Sequence, residues 1–289
     1  MKRLENTSHS SKGFTLVELV VCMVILGIIS TVVLDFLSNG TKFFVETSAR
    51  TDISVLARNL SLRLERHLAN ALPYSYNVFS DNKSIEFLEV VGAYRVQKVQ
   101  KVQKVPKEQN EQKDVAPNEY NVSFFASTNS PFTKMRDRCL AYGIQASEYR
   151  LYPAIFSRGD EVVVVKGQPL TTDDLKLTWN EGDSLLSFKT TSDYKSLSEG
   201  ARIYFLDTCS LIQYSLNSEV LKYQVFKYDP TKDPTKGKEI GNYDLTGTPV
   251  KLKELRFSAD STAVSFGFLL MNQDQSIPVS QYVEVTNAP

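Results

Sequence analysis

Lys12-Gly13-Phe14-Thr15-Leu16-Val17-Glu18-Leu19-Val20-Val21 opens the stretch that decides the architecture of this chain. A short polar segment with a basic excess precedes it, and from Leu19 to Leu34 no residue is charged. Phe14 through Leu37 is about two dozen residues, enough for a helix of roughly 30 Å that crosses a bilayer. Lys2, Arg3 and Lys12 lie before the run and Asp35 follows it. The positive-inside rule therefore places residues 1–13 in the cytoplasm and the remainder of the chain outside. A secretory signal puts its small-residue cleavage site after the apolar stretch, and Ser30-Thr31 is a poor version of one; here the small residue, Gly13, comes first.

Glu18 stands inside the apolar run, where an ionised carboxylate costs about 2.5–3.5 kcal/mol on insertion scales. It needs a partner. Cleavage after Gly13 would make the Phe14 nitrogen an α-amino cation at the helix end, and that amine on a neighbouring subunit is a counter-ion for Glu18 in a low-dielectric bundle.

The decapeptide resembles the processing site of the type IV pilin family. In that family a membrane aspartyl prepilin peptidase cuts after the glycine and methylates the new N-terminal Phe. The resemblance implies Gly13 as the cleavage position, Phe14 as the methylated residue and Glu18 as the assembly contact. It implies as partners the prepilin peptidase, other major and minor pilins and the inner-membrane assembly platform. The alternative reading is a plain signal anchor whose Glu18 sits near the interface.

Past Leu37 the pattern becomes amphipathic. Ile53, Leu56, Leu60, Leu64, Leu68 and Leu72 recur at spacings of three and four, one apolar stripe along a helix, and Pro73 ends it. Arg50, Arg58, Arg63, Glu65 and Arg66 fall mainly off the stripe and His67 at its edge. Beyond Pro73 the period switches to two, with strands expected at 85–91, 120–125, 161–165, 185–189, 202–206, 211–216, 220–228, 253–258, 263–270 and 281–285. No long helical pattern lies between them, which favours antiparallel pairing. The expected fold is α+β, a long N-terminal helix on a mostly antiparallel β-sheet head. Its parts are a cleaved leader at 1–13, a transmembrane helix at 14–37, an amphipathic helix at 38–72 and a head at 73–289. The Val-Gln-Lys repeat from Val96 runs into a polar tract with little to bury, so 96–118 is expected as a mobile insertion. The Asp229-to-Gly237 duplication reads as an exposed turn with too few carboxylates for a calcium cage.

Composition narrows the function. The 33 basic and 33 acidic side chains cancel, leaving no overall field for a polyanion, so no nucleic-acid partner is expected. With only His9 and His67, and cysteines at 22, 139 and 209 without a CxxC pair, there is little material for a catalytic triad or a metal centre. The chain reads as a structural protein, not an enzyme, with no cofactor and no metal.

Further segments are similar to minor pilin O of the mannose-sensitive haemagglutinin (MSHA) pilus, to J-type minor pseudopilins of type II secretion and to W-type minor pilins. They are Leu64 to Pro73, Ile85 to Arg95, Arg202 to Asp207 and Gln281 to Pro289. This similarity implies an inner-membrane, single-pass minor subunit with a periplasmic head, acting in pilus assembly or at the fibre tip. The Val-Gln-Lys tract and Thr208-Cys209-Ser210 depart from it. In an oxidising periplasm Cys139 and Cys209 are candidates for a disulfide, Cys22 being in the membrane; two separate buried thiols are the alternative. A J-type pseudopilin, a DNA-uptake pilin and a membrane-anchored periplasmic protein unrelated to fibres remain the competing functions.

Overall fold

The computed structural model describes residues 15–102, 119–125, 131–156, 162–164, 185–190, 201–230, 237–260 and 263–285. Gly13, Phe14 and residues 231–236, where a turn was expected, lie outside them. Two α-helices, one short 3-10 helix (Ala146–Glu148) and fourteen strands occur among the described residues. The chain divides into two compact units, Met1–Asp52 and Ile53–Pro289.

Helix α1 spans Leu16–Ala69, 54 residues. In the first unit it holds an 18-residue window of mean hydropathy 2.7, none of it buried. Ser30 and Thr31 hydroxyls donate to the Leu26 and Ile28 carbonyls at 2.6 and 2.8 Å, so polar groups in this segment are satisfied by the helix's own backbone. The segment is long and apolar enough to cross a membrane.

The second unit begins with the amphipathic end of α1. Ile53, Ala57, Leu60, Leu64 and Leu68 are buried in the main core, the face the spacing predicted, with Ala57 inside where Leu56 was expected. The chain then forms β1 (Asn77–Val78), β2 (Ser84–Leu88), β3 (Gly92–Val102), β4 (Glu119–Phe125), helix α2 (Pro131–Ala141), β5 (Leu151–Phe156), β6 (Val162–Val164), β7 (Leu185–Thr190) and β8 (Arg202–Asp207). After these come β9 (Leu211–Asn217), β10 (Val220–Phe226), β11 (Glu239–Asp244), β12 (Lys251–Ala259), β13 (Ala263–Asn272) and β14 (Gln275–Glu284).

The strands make three sheets, ordered β1-β2-β9-β10-β11, β6-β5-β8-β3-β4-β7 and β12-β13-β14. Their pairings are antiparallel. The α+β architecture, a long N-terminal apolar helix with antiparallel sheets, is the expected one. Strand β8 is buried on both faces: Ile203 and Phe205 enter the main core, while Tyr204 and Leu206 join a second cluster with Leu72, Val90, Tyr152 and Tyr228. A strand sealed on both sides reads as a continuous apolar run, as Ile203-Tyr204-Phe205-Leu206 does.

Two expectations need correction. Residues 96–102 are not loop: they are the second half of β3, paired with β4 from Val96↔Phe124 to Val102↔Glu119. Their valines favour strand and the partner supplies the backbone hydrogen bonds, so low apolar content did not prevent pairing. Residues 103–118 lie outside the described residues. The head also contains a helix too short for its apolar period to stand out in the sequence, α2. Pro131 suits a first helical position, and Met135 and Cys139, four apart, are buried on one face. Gly143, at φ +70, ends it. Ile144 N–H donates to the Cys139 carbonyl and Gly143 N–H to that of Leu140, both at 3.0 Å, the Schellman arrangement.

Candidate functional site

The first turn of α1 is built by two residues of the decapeptide. The Thr15 backbone N–H and hydroxyl both donate to Glu18 Oε2 at 3.0 Å, and Glu18 N–H lies 3.3 Å from Thr15 Oγ1. This is a capping box, Thr at the N-cap and Glu at N3, with the carboxylate at the positive end of the helix dipole. The sequence reading found only a partner on another subunit for Glu18; the structure gives it one within the chain, which offsets part of its cost in an apolar segment.

A second constellation lies in the head, where two chain segments leave one sheet for another side by side. Strand β2 passes into β3 through Glu89, Val90 and Val91, and β8 into β9 through Thr208, Cys209 and Ser210. Glu89 N–H donates to the Ser210 carbonyl at 2.8 Å, Val90 N–H to Asn70 at 2.9 Å and Val91 N–H to Phe205 at 2.8 Å. The turn after β8 is held by Asp207, whose Oδ1 accepts from Cys209 N–H at 2.8 Å and the Ser210 hydroxyl at 3.0 Å, an Asx turn.

Helix α2 closes this corner with Arg138 and Cys139. Arg138 Nη2 lies 2.9 Å from Glu89 Oε2 and donates to the Cys209 carbonyl at 2.7 Å, while Nε is 3.9 Å from Asp207 Oδ2. The Asp207 side chain has no exposure, and those of Arg138 and Glu89 keep 18% and 14%. Burial pushes the Asp207 carboxyl up, opposed by Arg138, Ser210 and the Cys209 amide. The two carboxylates hold the Arg138 guanidinium above its ordinary value against its own desolvation. His67 Nδ1 is 3.6 Å from Glu89 Oε1, too long for a hydrogen bond. Burial lowers the His67 pKa, Glu89 opposing and Arg63, Arg138 and Arg66 reinforcing it, so the imidazole is neutral at pH 7. Its ring meets Tyr214 and Tyr223 edge-on, and the Tyr142 and Tyr223 hydroxyls share a hydrogen bond at 2.8 Å.

The structure brings Cys139 and Cys209 together, their sulfurs 2.9 Å apart and both fully buried. Cys22 lies on the exposed part of α1. Ligand atoms of Cys139, Asp207 and Cys209 all fall within 4.8 Å of one another. Two thiolates on one tetrahedral zinc at about 2.3 Å stand roughly 3.8 Å apart, wider than this pair, and the Arg138 cation beside Asp207 opposes a second cation. At 2.9 Å the pair stands between the spacing of two sulfurs on one zinc and that of bonded sulfurs, about 2.05 Å.

Glu89, Arg138 and Asp207 escaped the sequence reading. Each looks like an ordinary surface charge in its own segment; only the Asp207-to-Ser210 turn pattern carried a local signal. His67, expected at the helix edge, is there, but turned into this cluster.

Residues 8–34 match the family model of the prokaryotic N-terminal methylation motif. The match covers Gly13, Phe14 and the capping box, and it supports the type IV pilin and pseudopilin class. The motif is the prepilin peptidase cleavage signal, implies pilin partners in general, and belongs to structural, non-enzymatic proteins. With the apolar helix that follows, it marks the chain as membrane-anchored in the manner of a pilin-type protein. No curated protein and no solved structure matches the chain.

Proposed function

We propose that this chain is a structural minor pilin or pseudopilin that takes part in assembling, or forms the tip of, a type IV pilus of the MSHA kind. The observation that carries the reading is the methylation motif at 8–34 running without a break into an exposed apolar helix and, past it, a β-rich head. In this reading the leader through Gly13 is removed, Phe14 is methylated, and the helix leaves the inner membrane to join a bundle with the head in the periplasm. Glu18 exchanges its contacts to Thr15 for the α-amine of a neighbouring subunit. The prepilin peptidase, the other pilins and the assembly platform are the partners.

Mass spectrometry of the chain from its native membrane tests the first step. The expected product begins at methyl-Phe14, and an intact leader in fibre-associated protein refutes the reading. Glu18→Ala should leave processing intact and abolish incorporation into fibres; normal incorporation would point instead to a membrane-anchored protein unrelated to fibres.

A further inference from the structure

We propose that Cys139 and Cys209 are a modification site: a disulfide installed while the head folds, by a thiol–disulfide oxidoreductase, that staples α2 onto the corner where β2–β3 and β8–β9 change sheets. The proposal rests on the outward placement of the head given above.

Three observations carry it. The sulfurs face each other at 2.9 Å across 70 residues of sequence. The approach is held from both sides: Arg138, beside Cys139, donates to the carbonyl of Cys209 itself, and the Cys209 amide is fixed by Asp207. Helix α2 also has only 11 residues, too few to be stable alone, so its place depends on what docks it.

The chemistry balances with an exchange partner named by class. The thiolate of one cysteine attacks the oxidoreductase disulfide and forms a mixed disulfide. The thiolate of the other displaces the enzyme's sulfur, so the Cys139–Cys209 bond forms and the enzyme leaves as a dithiol carrying the two electrons and two protons. Both sulfurs are sealed in the folded head, and contact with Cys139, burial and the Asp207 carboxylate together hold the Cys209 thiol far above its ordinary value. A buried, protonated thiol is a poor nucleophile, so exchange belongs to the chain before α2 docks.

The test uses the full-length chain in its own membrane, in a Cys22→Ala background, with Ser280→Cys on the exposed face of β14 as a reporter of sidedness. A membrane-impermeant maleimide should label Ser280→Cys from the periplasmic side. In a parent lacking that reporter, denatured protein should accept no mass-tagged maleimide at Cys139 or Cys209 until reduced, and peptides containing the two should run as one species two hydrogens lighter. Labelled Ser280→Cys with both native thiols tagged without reduction overturns the disulfide while the topology stands. Unlabelled Ser280→Cys overturns the outward placement and the proposal with it. Under native conditions dithiothreitol should leave the bond intact for hours and cleave it promptly in urea. Prompt native reduction overturns folding-time closure.

Discussion

Arg138→Met probes the centre of the head. The substitution keeps most of the aliphatic stem but removes the cation that faces Glu89 at 2.9 Å and Asp207 at 3.9 Å, and the hydrogen bond to the Cys209 carbonyl. Removing one partner of a buried ion pair costs about 3–5 kcal/mol because the other charge is left in a poor solvent. The 18% and 14% exposures of Arg138 and Glu89 point to the lower end, about 3 kcal/mol, or roughly 6–12 °C in Tm for a domain of this size. The sign with pH is fixed by Asp207. Its folded carboxyl is already above its unfolded value, and loss of Arg138 raises it further. A raised carboxyl is best tolerated when protonated, so the deficit should be largest near pH 8 and shrink as pH falls through the raised value. Urea titration of detergent-solubilised full-length protein, followed by near-ultraviolet circular dichroism of its tyrosines, measures this. Adding Asp207→Asn and Glu89→Gln should recover much of the loss. A deficit under about 1 kcal/mol, or one unchanged between pH 8 and 5, refutes the account of Arg138 as counter-ion to buried carboxylates.

Four other outcomes follow from the same contacts. His67 has a folded pKa below its unfolded value, so acidification through the unfolded value of about 6.5 protonates the unfolded chain first and costs stability; His67→Gln should flatten that part of the pH–stability curve in the same urea assay. Leu64→Ala, at a site with no exposure, should cost about 2–5 kcal/mol through transfer and cavity terms. Replacing both Cys139 and Cys209 by Ala should cost up to about 4 kcal/mol if a bond closing this loop is present, and under reducing conditions the difference from wild type should narrow. Gly92→Ala places a Cβ 2.6 Å from the Tyr94 ring, and the ring's displacement from Phe205 should cost about 1–3 kcal/mol, seen as a lower urea midpoint.

The parts legible in the sequence were those whose physics is local. A membrane-length apolar helix is a one-dimensional tally of apolar residues, the methylation motif at 8–34 is a pattern of neighbours in sequence, and the amphipathic stripe from Ile53 to Leu68 repeats at the helix period. Most strands could be read from β-branched runs. Where the reading failed, a short element depended on its neighbours: β3 past Val96 is strand because β4 lies beside it, and α2 is helix because Pro131 starts it, Gly143 stops it and the corner receives Met135 and Cys139.

Glu18 shows the division within one residue. The sequence alone determined that a carboxylate in an apolar helix requires a partner; the first turn of α1 decided that Thr15 supplies one inside the chain. In the head the division is wider. His67, Glu89, Arg138 and Asp207 come from four segments whose charges look solvated one at a time. Only the fold, by crossing two strand pairs between sheets at one corner and laying α2 over it, takes those side chains out of water together, and their energies exist only once that has happened.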